Sequence, residues 1–181
     1  MHLSILFLKI LLRKFSVFIL IIFRFILQST VFRSLSFAGI VPNLLIVLTA
    51  SFGFMRGENE GIVIGFLCGL LIDIFYGDIW GFYALIYLYI GFFNGKFNRI
   101  FYPEDIKLPI ALIVISDFSY GLLCYILMFL MNGKFHFWFY LKSIIFPEVV
   151  YTIIITCVLY PLILFVNHRL ELRERSRRRG R

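Results

Sequence analysis

The sequence predicts an all-α membrane protein with six transmembrane helices. Three observations carry this expectation. The 181-residue chain is 61% hydrophobic and 19% aromatic, with a mean hydropathy of +0.95, far outside the range of soluble globular chains. Charged residues make up only 15% and collect between the apolar runs and at the ends. A spanning helix needs about 20 apolar residues, so roughly six spans occupy most of the length.

The first apolar stretch, with Lys9 inside it and Arg13-Lys14 after it, begins like a signal peptide. No small-x-small cleavage site follows, so an uncleaved first span over residues 15–32 is expected. Arg24 and Gln28 lie in it four apart, on one face that should point into the bundle. Span two is expected at 42–55, with Pro42 at its first turn, where a missing N–H is harmless. A polar turn, Arg56-Gly-Glu-Asn-Glu-Gly61, leads to span three at 61–76. Span four, 82–97, carries Tyr83, Tyr87 and Tyr89 and ends in Gly91-x-x-x-Gly95. Span five runs over 108–131 with Asp117 in it. Phe135 to Tyr140 reads as an interfacial aromatic belt. Span six, 142–166, holds Pro147-Glu148 and Tyr160-Pro161, so one or two kinks are expected. Residues 1–166 thus form a six-helix membrane domain and 167–181 a basic cytoplasmic tail.

Orientation follows from the basic residues. With the N-terminus inside, fourteen Lys and Arg fall on the cytoplasmic side, seven of them in the tail, against Arg33 and Lys134 outside. That asymmetry satisfies the positive-inside rule, with both termini cytoplasmic. The net charge of +8 therefore reads as topology and anionic-lipid contact. No aromatic-basic module accompanies it, which argues against nucleic acid. Cys68, Cys124 and Cys157 stand singly within apolar runs, without metal or redox spacing.

Span three carries the most regular pattern. Gly61, Gly65, Gly69, Gly77 and Gly81 recur at multiples of four, with Asp73 where the next glycine would fall. Residues four apart on a helix lie nearly above one another, drifting by about 40° per step. In a bilayer such a seam lets another helix approach closely. It serves either packing inside the bundle or assembly with a partner. The inner three glycines suit one neighbour; Asp73 and Gly77 must meet another.

Ionisable groups inside spans are expensive and mark sites by default. The topology puts Asn43, Asp73 and Glu148 at similar depth in the outer half, and Asp117 nearer the middle. They form either a small polar pocket or partner contact, or an internal network with Arg24 or Lys142. Catalysis is not indicated. Val-Ile-Ser precedes Asp117, not the Gly-x-Gly of intramembrane aspartyl proteases; His2, His136 and His168 lie at edges, with no H-E-x-x-H. No nucleophile elbow or P-loop is present. No catalytic residue, cofactor or metal is expected.

Pro42-Asn-Leu-Leu-Ile, Arg56-Gly-x-x-x-Gly61, Gly65-Phe-x-x-Gly69-Leu-x-x-Asp73, Gly77-x-x-x-Gly81-x-Tyr83-Ala-Leu and Glu148-x-x-Tyr151 with Tyr160-Pro161, together with Gln28-Ser-Thr30, resemble the bacterial rod shape-determining MreD family. Thr152 departs from the Asn often found there. The resemblance implies a non-enzymatic scaffold of the wall-elongation complex in the inner membrane. Its implied partners are MreC most directly, then MreB, RodA and a class B penicillin-binding protein; a homodimer is left open. It also implies likeness to the six-helix substrate-binding subunits of energy-coupling-factor transporters. From that comes the alternative of a small-molecule-binding transporter subunit with an outer-half pocket at Asp73 and Glu148.

Overall fold

A computed structural model describes residues 19–32, 40–77, 79–100, 106–130 and 137–179. Lys9, Arg13, Lys14, Arg33, Lys134 and His136 lie outside them. Six helical segments are present among the described residues: α1 (Ile19–Thr30), α2 (Leu44–Arg56), α3 (Glu58–Tyr76), α4 (Phe82–Lys96), α5 (Lys107–Cys124) and α6 (Phe137–Arg169). No strand interrupts them.

α2 is the centre of the bundle. All its residues from Leu44 to Met55 are buried, and it packs against α3, α4, α5 and α6. At about 1.5 Å per residue its 13 residues are short for a bilayer. Protein surrounds it, so its length need not match the hydrocarbon thickness. Around it, α3 and the helical stretches Lys107–Leu127 and Phe137–Arg169 are long and apolar enough to cross a membrane. α3 and α4 share the most extensive contact in the fold.

α6 presents Phe146, Val150, Ile154, Val158, Leu162 and Phe165 outward, an exposed apolar stripe at helical spacing. On a chain of this composition such a stripe faces lipid or a partner helix. Two strongly exposed indole side chains, Trp80 and Trp138, sit at the α3–α4 turn and the start of α6. Indole rings suit the membrane interface.

Three expectations about span ends change. Span six begins at Phe137, so Phe137–Tyr140 of the expected aromatic belt is its first turn. Pro42 precedes α2, and Asn43 is its cap. Span three begins three residues early, at Glu58. In α6, Pro147 cannot donate to the carbonyl of Ser143, and the chain widens over Leu141–Ile145 just before it. Past that point the helix continues through Pro161 to Arg179, across the expected start of the tail.

Candidate functional site

Three glycine backbones meet where α2, α3 and α4 converge. A Cβ on Gly61 would strike the Gly91 carbonyl and come within 3.0 Å of the Gly53 Cα; one on Gly91 would strike the Gly61 carbonyl. Gly65 is closed in the same way by the Tyr87 carbonyl, Gly69 by Tyr83 and Ala84, and Gly95 by the backbone of Glu58. α3 and α4 therefore touch main chain to main chain over three turns. Such approach permits dispersion and Cα–H···O contacts that lipid cannot match.

Gly77 and Gly81 depart from the seam expectation. Gly77 ends α3, its N–H bonded to the Asp73 carbonyl at 3.2 Å, and a Cβ there would meet only that same turn. Gly81 has φ +86°, a left-handed conformation that opens α4, with nothing near its missing side chain. The seam stops at Gly69 because the chain leaves the helix after Tyr76. Gly53 was not singled out from the sequence. Its signal was there: the four-residue spacing runs back from Gly61 through Gly57 to Gly53, across a turn.

Asp73 acts on the next helix. Its carboxylate accepts the Tyr83 and Ala84 N–H groups, both at 2.9 Å, and Asp73 is 1% exposed. The carbonyls of Ile79 and Gly81 take the Phe82 and Leu85 N–H groups. All four first-turn donors of α4 are thus satisfied, as a low-dielectric setting demands. α2 is closed similarly. Pro42 O accepts from Leu44, Gln28 Oε1 from Leu45, Asn43 Oδ1 from Ile46 and Asn43 O from Val47. Two of the polar residues expected within spans, Gln28 and Asp73, are therefore long-range helix caps.

The remaining polar groups gather beside α2. Asn43 Oδ1 also accepts the Tyr87 hydroxyl at 2.7 Å, and the Asn43 N–H donates to the Thr152 hydroxyl at 3.2 Å. Thr152, the departure from the family pattern, faces Asp117, and Asp117 faces the half-buried Glu148. Asn43 and Glu148 thus gather with Asp117, while Asp73 is committed to α4. Asp117 is 2% exposed; the Thr152 hydroxyl approaches its carboxyl group, but neither carboxyl oxygen receives a well-formed hydrogen bond. A network joining these acids to Arg24 or Lys142 is not formed. Arg24 is 2% exposed with Nη1 lacking a partner, and Lys142 is exposed. Sequence reasoning missed the Asn94–Ser116 bond (2.8 Å) that ties α4 to α5.

An acid this buried with so weak a donor set is incompletely compensated. Asp117→Asn is expected to leave the thermal midpoint of the solubilised protein unchanged or raise it, because the isosteric amide keeps the packing and removes an ionisable group buried without a charge partner. A fall of several degrees would show that the carboxylate has a stabilising partner.

Among the described residues, no group of three or more His, Cys, Asp or Glu is placed to hold a metal ion. No curated protein and no solved structure matches the chain. The family model described as rod shape-determining protein MreD matches residues 8–168. That span includes the glycine contact, both long-range caps and the acid cluster, and the chain belongs to the MreD family of membrane proteins with a role in rod shape determination.

Proposed function

We propose that the chain is a non-enzymatic scaffold of the wall-elongation complex in the bacterial inner membrane, joined to MreC by helix–helix contact and through it to MreB, RodA and a class B penicillin-binding protein. The family match over residues 8–168 carries this reading. On this proposal all six helices span, both termini are cytoplasmic, and residues 167–181 form a basic tail on that side, in line with the fourteen-to-two distribution of Lys and Arg. The α3–α4 glycines are taken up by one another. Partner contact then falls to outward faces, of which the apolar stripe on α6 is the longest. The transporter alternative draws no support from the family match.

Depletion of the chain in a rod-shaped host is the direct test. Cells are expected to round up, and affinity purification of the chain from solubilised membranes is expected to bring MreC with it. Rods that persist after complete depletion, with no MreC in the eluate, would overturn the proposal.

A further inference from the structure

The α2–α3 turn and the end of α4 enclose a half-open cleft of about 520 Å³ lined by Arg56, Gly57, Glu58, Asn59, Gly95, Lys96, Asn98 and Arg99. Three cations and one carboxylate line it. Arg56 is its fixed element: the side chain is 7% exposed, with Nε bonded to Asn167 Oδ1 at 2.6 Å and Nη1 paired with Glu60 at 3.2 Å. Asn98 Nδ2 bonds the Phe54 carbonyl at 2.8 Å and pins the opposite wall to α2. The Gly95–Glu58 backbone contact closes the base. The walls are therefore held by the fold before any ligand arrives.

Lys96 and Arg99 are exposed on the rim, with the Lys96 ammonium 4.6 Å from the Phe92 ring centre. The cleft also sits where apolar helices α2, α3 and α4 meet polar turns, the level at which headgroups lie. Gly57, which precedes α3, makes no side-chain cap, and Gly57, Glu58 and Asn59 at the start of α3 line the same space. Basic pockets between transmembrane helices at this level suit phosphate, and a cleft of this volume takes a headgroup.

We propose that this cleft binds a phosphate-bearing anion, with Arg56 fixed at the wall and Lys96 and Arg99 closing over it. The shared chemistry is a phosphate oxygen set, supplied by an anionic lipid headgroup or by free phosphate. Binding at the cleft is read on the isolated protein and is separable from assembly with partners and from membrane orientation.

The test uses the full chain in detergent, with native mass spectrometry under added phosphatidylglycerol or phosphatidylcholine, repeated in millimolar inorganic phosphate. Phosphatidylglycerol is expected to bind in preference, and Lys96→Gln with Arg99→Gln is expected to weaken that preference about tenfold or more. Asn59→Asp, which adds an exposed negative charge to the lining, should weaken it independently. Retention in the presence of phosphate assigns the site to lipid headgroups; displacement by phosphate assigns it to free anions. A preference unchanged in both cleft variants, or one abolished instead by Arg177→Gln with Arg178→Gln in the tail, would overturn the proposal.

Discussion

Gly91→Ala is expected to destabilise the protein by about 3 kcal/mol, near the upper end for overpacking, because the added methyl meets the Gly61 carbonyl and not a side chain that can rotate away. At about 2–4 °C per kcal/mol for a chain of this size, the thermal midpoint should fall by roughly 6–12 °C. Gly61→Ala should behave alike. The sign is what makes the test sharp. Glycine to alanine in an exposed helix stabilises by about 1 kcal/mol. Gly121→Ala is the control: its Cβ would come no nearer than 3.1 Å, to side-chain atoms of Ile145 and not to a backbone carbonyl, so the loss should be smaller. If both seam variants melt with the wild type, the main-chain contact between α3 and α4 is wrong.

Asp73→Ala should cost about 3 kcal/mol. The substitution leaves two buried N–H groups of α4 without an acceptor and removes a negative charge from a helix N-terminus. Asp73→Asn keeps one acceptor oxygen and should lose about half as much. Hydrogen exchange localises the effect: the Tyr83 and Ala84 amides are expected to lose protection first, while α5 and α6 hold theirs. Equal protection at those two amides in wild type and Asp73→Ala would show that the carboxylate does not cap α4.

Class and seam were legible because both depend on local quantities. Hydropathy is counted residue by residue, so an apolar run announces a membrane helix whatever it packs against. A spacing of four places Gly61, Gly65 and Gly69 on one face by helix geometry alone. The partner of that face is not local. α4 supplies it through Gly91 and Gly95, a pair visible in sequence, while α2 supplies Gly53, whose helix is separated from the seam by a turn.

The acids show the boundary most clearly. Asp73, Asp117 and Glu148 were recognisable from the chain as misplaced charges in apolar runs, and burying a carboxyl requires some compensation. Which acid meets which partner depends on the rotation and depth of separate helices, set by packing across α2. The sequence by itself determined a helical membrane protein, its small-residue face and its costly groups. Only the tertiary structure decided that Asp73 closes the N-terminus of α4 while Asp117 and Glu148 face each other, because relative helix depth is a property of the packed bundle and not of any one segment.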